Sequence, residues 1–564
     1  DDQHSPAAGV PWYYPVSGTA GRSLSDSIGD FPVFCRCGHS VLCGVAAAMK
    51  KKIVIIGAGL AGLSAALQTA ENGNEVVLVS AYPSERAQSV MAEGGINAAL
   101  NTKGEDDSPE QHYADTIHAA CGLADENAVW NLTHAAPELV RWLHRIGVQF
   151  NTSGIDEPDL RNFGGQKKKR TAFAQSDTGK QIMTALIDAV REQEGNGAVK
   201  RLSHHDFVTL LMDEAACCGC IVCDRYTGES LTLPADAVII ATGGMHGLFG
   251  DTTGSLFNTG AVTAELFRLG VPMANLEMIQ YHPTTVPIGG KRMLISEAAR
   301  GEGGRLFAMR DGKPWYFMEE KYPELGNLMP RDITAREIWA VRQQSEVFLD
   351  MTGLAPDVFE KKLSGLAEDC RVYLGKDIRK EPISVSPGIH YFMGGIRVDA
   401  QHRTGVRNLY AAGECCALYH GANRLGGNSL LGALYGGRVA AQSACAEAEA
   451  ASKRAVSVQS SDTVPLCEPQ DKAELNRILL HALGVVRSGE TMQDALTRIA
   501  GMHGSLPLLG QAVLKSALAR NESRGAHWRS DYPQRNDAEF RKTTVAYYDG
   551  QTVHISWDAV PERR

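Results

Sequence analysis

The chain has 564 residues, room for roughly three or four domains of about 150 residues each. Its apolar and charged fractions are ordinary for a globular protein, and a net charge of -9 excludes the basic field that a nucleic-acid surface needs. No apolar stretch is long and uninterrupted enough to span a bilayer, and thirteen cysteines, an odd number, suit a reducing compartment better than a disulfide framework.

In chain order, residues 1–48 come first, rich in Ser, Gly, Pro and Asp and without a clear period. They read as a disordered extension or an artefact of gene-start choice, since Met49 directly precedes "KKKIVIIGAGLAG". They hold Cys35, Cys37, His39 and Cys43; a second group is Cys217, Cys218, Cys220 and Cys223. Zinc and iron–sulfur sites usually pair CxxC with a second, distant ligand pair, so neither group is expected to hold metal. In the second group, strand alternation would also send the thiols to different faces.

"KKIVIIGAGLAGLSAALQTAENGNEVVLVS" reads as strand, glycine turn, helix and parallel strand. Ile53 to Ile56 form a buried strand. Gly57, Gly59 and Gly62, with Ala58 and Ala61 between them, supply the tight turn, the close approach of a pyrophosphate and the helix–strand packing. The helix runs to about Glu71, and its free N–H groups face the pyrophosphate. The second strand ends in Ser80, where an acid normally holds a ribose hydroxyl. The basic run Lys167, Lys168, Lys169, Arg170 sits beside glycines and is expected to be a plain loop.

"ADAVIIATGGMHGLF" (236–249) reads as a buried strand ending in Ala241, Thr242 and Gly243. "VRNLYAAGECC" (406–416) reads as another, ending at Gly413 and Glu414, and "ANRLGGNSLLGALYGGRVAAQSA" begins a further glycine-containing helix. A nicotinamide domain would be finished within about 150 residues. A nucleotide fold that breaks off and resumes much later points instead to FAD. From about 468, the helical pattern "DKAELNRILLHALGVV" leads to the tail "RKTTVAYYDGQTVHISWD". The expected class is α/β. A discontinuous Rossmann-like FAD-binding domain covers 49–275 and 376–450, with an inserted α+β capping domain at 276–375. A linker at 451–467 precedes a C-terminal helical domain and tail at 468–564.

A series of motifs in one order carries a resemblance. They are "AEGGINAAL", "NFGG…RTAF…SDTG", "QYHPT", "SEAARGEGGRL", "PRDI", "HYFMGGI", "YAAGE", "HGANRLGGNSL" and "ESRGAHWRSDYP". From Met49 to about Trp557 the chain resembles the flavoprotein subunit of fumarate reductase and succinate dehydrogenase, a family that also takes in L-aspartate oxidase. The resemblance implies FAD held by the residues above together with Gln88, Gly94, Gly95, Ser429 and Leu430. It implies a C4 dicarboxylate, fumarate or succinate, as substrate. His282 and Ser296 would hold one carboxylate, His390 and Arg424 the other, with Phe163 nearby.

By the same resemblance Arg331 is the proton donor, fed through Glu297 and Arg300. A free guanidinium is a poor acid, with a pKa above about 12. It can work if a fresh proton arrives as the first leaves. Glu297 and Arg300 lie at i and i+3, so a helical turn puts them on one face. The implied reaction is hydride transfer between flavin N5 and one alkene carbon, with Arg331 protonating the neighbouring carbon. Glu302 and Arg305 of the same stretch gain no such role.

Three positions depart from the family pattern. Gln88 stands where membrane-bound members carry the histidine that bonds FAD covalently; an amide cannot form that bond, so FAD is expected to be non-covalent and fumarate reduction favoured. Ser80 is one of the others, and Ala261 replaces an aspartate of the flavin site. Two rivals stay open: L-aspartate oxidase, whose pattern differs at "RNFGGQKKKRTAF", and a non-catalytic flavin electron-transfer scaffold. An iron–sulfur protein is the expected electron partner, with a free flavin or quinol donor also open. The expected location is cytoplasmic, with peripheral docking at the inner face of a membrane.

Overall fold

The computed structural model describes residues 50–154, 157–213, 216–448 and 465–563; the expectations for residues 1–48 and for most of 451–467 lie outside them. The strand Lys52–Ile56 is central in a five-stranded parallel sheet, in the order Leu409–Ala411, Ala237–Ile240, Lys52–Ile56, Glu75–Ser80, Val199–Ser203. Its apolar run is unbroken because both faces are covered. Ile53 and Ile55 enter one core with residues of the helices Leu60–Glu71, Glu126–Arg145, Thr178–Gly195 and Asn428–Glu447. Val54 and Ile56 enter a second core on the opposite face.

The nucleotide fold is discontinuous, as its sequence suggests: Val238 pairs with Leu409 and Ile240 with Ala411. Between these pieces lie two antiparallel sheets. In one, Ile279–Ile288 pairs with Lys291–Leu294 and with Ser386–Phe392. In the other the order is Lys313–Trp315, Arg305–Arg310, Val347–Asp350, Ile383–Ser384. A third core beneath them gathers Ile295, Ala299, Leu306, Ile338 and Leu349.

The C-terminal region is helical, with Lys472–Ala482, Gly489–Ile499 and Ser505–Ala519, but it has no core of its own. Leu475, Met492 and Val513 pack into the same cluster as Val54 and Val238. The tail forms the hairpin Lys542–Tyr548 and Val553–Ala559, which pairs with Met273–Ala274. No helix among the described residues is long and apolar enough to cross a membrane.

The basic run is not one solvated loop. Lys167 and Lys169 are exposed, but Arg170 is fully buried. Its guanidinium lies 2.8 Å from Asp107 and 2.9 Å from Asp115. A charge is tolerated there because both carboxylates pair with it. Cys217, Cys218, Cys220 and Cys223 lie on the strand Ala216–Asp224. Burial pushes the Cys217 and Cys220 thiols up to about 12, so both stay protonated.

Candidate active site

A cavity of about 920 Å³ opens at the carboxyl ends of the parallel strands, where Ile56, Ser80, Ala241 and Ala412 form its wall. Ligands of open α/β sheets bind at this edge. One end is built from the glycine turn. Gly57 has φ +112, and a Cβ there would lie 2.2 Å from the Ala241 carbonyl oxygen. A Cβ on Gly62 would lie 1.8 Å from the Gly57 oxygen. The two glycines therefore let the helix start pack directly on the turn. Gly62→Ala should force them apart, costing roughly 1–3 kcal/mol. A lower melting temperature and a lower flavin-to-protein absorbance ratio after desalting would show it; an unchanged ratio would exclude it.

Gly57, Ala58, Gly59, Ala61, Ser80, Gln88, Gly94, Gly95, Ala241, Thr242, Gly243, Glu414, Ser429 and Leu430 all line this cavity; Gly62 lies behind it. The Ser80 and Thr242 hydroxyls are buried there without a partner. Buried hydroxyls without partners are costly, and a ligand with polar oxygens would satisfy them. The cavity's size, the glycine cradle and these hydroxyls fit a dinucleotide.

At the other end five predicted side chains line the same cavity: His282, Ser296, Arg331, His390 and Arg424, with Glu297 and Phe163 in the wall. Arg300 stands one layer behind. The short helix Glu297–Gly301 begins at Ser296, whose hydroxyl accepts the Ala298 N–H at 3.4 Å. That helical turn puts Glu297 and Arg300 on one face. Glu297 Oε2 accepts from Arg331 Nη2 at 2.6 Å and Nε at 2.9 Å, while Oε1 accepts from Arg300 Nη2 at 3.3 Å. All three side chains are buried. Burial alone would raise the Glu297 carboxyl; Arg331 and then Arg300 outweigh it and bring it to about 2.

The two imidazoles meet edge to face, ring centroids 5.1 Å apart and planes at 63°. Burial, with Arg331 close by, holds both well below the usual histidine value, so both are neutral near pH 7. Each has a partner for its Nδ1. His282 Nδ1 lies 3.0 Å from the Thr284 carbonyl oxygen and 3.3 Å from the Thr284 N–H, and His390 Nδ1 lies 2.8 Å from the Thr253 hydroxyl. Arg424 is the firm cation of this group. Burial, with Arg331 nearby, lowers it only to about 9, and it lies 4.4 Å from the Tyr391 ring centroid. Phe163 packs between two glycine segments: a Cβ on Gly94 would meet its ring at 2.7 Å, and one on Gly426 at 3.0 Å.

Some residues of this site were not singled out from the sequence. Gln280 of "QYHPT" accepts from Arg331 Nη1 at 3.1 Å and donates to Asn423 Oδ1 at 2.8 Å and to the Arg424 carbonyl at 2.9 Å. A glutamine two positions before His282 in the same motif was the available signal. Glu93 of "AEGG" lines the cavity with an unpartnered oxygen. Burial, then Asp369, pushes its carboxyl up to about 8. Glu302 and Arg305 pair elsewhere, with Lys362 and Glu319.

Comparison with known proteins places the chain in a family. A family profile described as "FAD binding domain" matches residues 52–430, and one described as "Fumarate reductase flavoprotein C-term" matches 500–563. The succinate dehydrogenase flavoprotein subunit of Bacillus subtilis is 38% identical, over 91% of this chain and 95% of that one. An L-aspartate oxidase of Streptomyces coelicolor is 34% identical, over 91% and 94%. A solved E. coli quinol fumarate reductase chain superposes with a TM-score of 0.80 at 27% identity, over 91% of this chain and 97% of that one.

Proposed function

The chain belongs to the family of succinate dehydrogenase and fumarate reductase flavoproteins, FAD-dependent oxidoreductases acting on CH–CH groups, and from that premise we propose that it interconverts fumarate and succinate, with reduction favoured. FAD, when bound, supplies two-electron hydride chemistry at its N5. The glycine turn, Ser80, Thr242 and Glu414 would hold it. His282 and Ser296 clamp one substrate carboxylate; His390 and Arg424 clamp the other. Arg424 brings a fixed charge to the clamps and Ser296 a hydroxyl donor, and the two imidazoles complete them. Fixed donors spare the reaction the cost of reorganising water around developing negative charge.

Arg331 gives a proton to the carbon next to the one that receives hydride. The observation that carries this reading is the pairing of Glu297 with two guanidinium groups in a buried row that ends at the cavity. As Arg331 gives its proton to the substrate carbon, the ionised Glu297 takes one from Arg300 and passes it to Arg331, and Arg300 is reprotonated by one proton from bulk water. Each member hands over one proton and receives one, so the row returns to its starting charges. Gln280 holds the Arg331 fork in place. Reoxidation of the reduced flavoprotein by fumarate, followed by stopped flow, tests this directly.

The Gln88 side chain supports non-covalent FAD: its oxygen accepts the Ser255 N–H at 2.5 Å, and an amide offers no nucleophile for a flavin bond. Acid precipitation should therefore release all flavin into the supernatant, and yellow colour in the pellet would contradict it. L-Aspartate oxidation is the second reading. Against it, Phe163 presents an apolar ring at the cavity wall, and Glu297 is already committed to two arginines. Incubation with L-aspartate under oxygen should yield no hydrogen peroxide above the protein-free background; steady peroxide production would favour the oxidase.

The Bacillus relative is named as a subunit, which supports an assembled state. An iron–sulfur protein is the proposed electron partner, with the chain docked peripherally on the cytoplasmic face of a membrane. Co-purification from its native host checks that.

A further inference from the structure

Two contacts cross the rim of the cofactor cavity and take no part in the chemistry above. Tyr82, two residues past Ser80, stacks on Phe257 with ring centroids 4.0 Å apart and planes at 27°. Gln88 reaches the backbone of Ser255 at 2.5 Å. Both contacts join the segment 82–91 to the loop 250–260, which links the helices His246–Phe249 and Ala261–Arg268. Arg225 adds a third strand of contact, its guanidinium 4.4 Å from the Tyr82 ring centroid.

Tyr82, Gln88, Arg225 and Phe257 all line the cavity, yet Phe257 is 45% exposed. A side chain that faces both cavity and solvent lies at the rim. An aromatic ring left half in water is held in place by its stacking partner, not by burial. Two segments distant in sequence are thereby tied across the slot that a dinucleotide must enter and leave.

We propose that the Tyr82–Phe257 stack and the Gln88–Ser255 hydrogen bond form a clasp over the dinucleotide slot, and that its opening sets how fast FAD enters and leaves. The inference rests on the non-covalent reading of Gln88. Where the family's membrane-bound members would use a bond, this chain uses a gate. A gate changes entry and exit together; a direct flavin contact changes exit alone.

The test measures FAD release from the holoprotein into excess apo-D-amino-acid oxidase, and FAD uptake by the deflavinated protein from quenching of flavin fluorescence. Phe257→Ala should speed release roughly fivefold, within the range of one aromatic stack. Gln88→Ala should do so by roughly fivefold through loss of one hydrogen bond, and the double variant by roughly 25-fold. Uptake by Phe257→Ala should accelerate in parallel, leaving its Kd within about twofold; Gln88→Ala, at a residue that also lines the flavin site, is read by its release rate alone. Release rates unchanged in both single variants would overturn the clasp. So would a Kd of Phe257→Ala that rises in step with release while uptake stays constant. Flavin that remains on acid-precipitated wild-type chain would sink the non-covalent reading and the clasp with it. Flavin freed by acid, with unaltered release rates in the variants, would sink the clasp alone.

Discussion

Arg331→Gln is expected to lower kcat for fumarate reduction by roughly 10²–10⁴-fold while FAD content stays near that of the wild type. The size follows from the role: a positioned proton donor contributes that much, and glutamine has no proton to relay. The separation from folding follows from the geometry. Glu297 keeps Arg300 as its partner at 3.3 Å, so no buried carboxylate is left alone. Gln280 loses one donor but keeps Asn423 and the Arg424 carbonyl. Steady-state turnover with a reduced viologen donor, alongside the flavin-to-protein ratio, checks both halves. Loss of flavin in proportion to activity would assign Arg331 a structural role instead.

Glu297→Gln should also cut turnover far more than FAD binding, by roughly 10²-fold or more, because the row of proton carriers is broken at its middle. It carries a larger stability cost than Arg331→Gln. The change leaves Arg331 and Arg300 buried near each other without a shared carboxylate, and breaking a buried pair typically costs about 3–5 kcal/mol. The acid limb of stability should move as well. Glu297 titrates at about 2 in the fold against an ordinary 4.5, so its ionisation stabilises the fold fully above pH 4.5, and that share is lost as pH falls toward 2. Wild type should therefore lose its advantage over Glu297→Gln across that window. Thermal melts of both proteins from neutral to acid pH measure it; parallel curves would contradict the ion-pair assignment.

Much of the nucleotide half was legible in the sequence because it is local. An unbroken apolar run, three spaced glycines and a periodic helix each report on their neighbours, and the helix does end at Glu71. The strand from Leu409 could be joined to the others only by pattern, yet its apolar run and terminal Gly-Glu were enough. Properties set by distant partners were not legible. Arg170 reads as part of a basic loop until Asp107, 63 residues away, folds against it. The C-terminal helices read as a separate domain, since nothing in their periodicity says that the apolar faces of Leu475 and Val513 meet the parallel sheet.

The site shows the same division. Glu297 and Arg300 could be paired from i, i+3 spacing, but Arg331 joins them from 34 residues away. The environment of the histidines is equally non-local: burial, with Arg331 close by, holds His282 and His390 well below the usual histidine value. Gln280 was visible in its motif, but its bridging of Arg331 and the Arg424 loop exists only in three dimensions.

On the proposed function, the buried row ending at Arg331 serves reduction of a dicarboxylate. Anaerobic stopped-flow mixing of the reduced holoprotein with fumarate tests it most directly. The oxidised-flavin absorbance should return in a single turnover, with succinate formed in equal amount to flavin, and Arg331→Gln should slow that phase without abolishing flavin binding. A flavin that stays reduced in the presence of saturating fumarate would contradict the account.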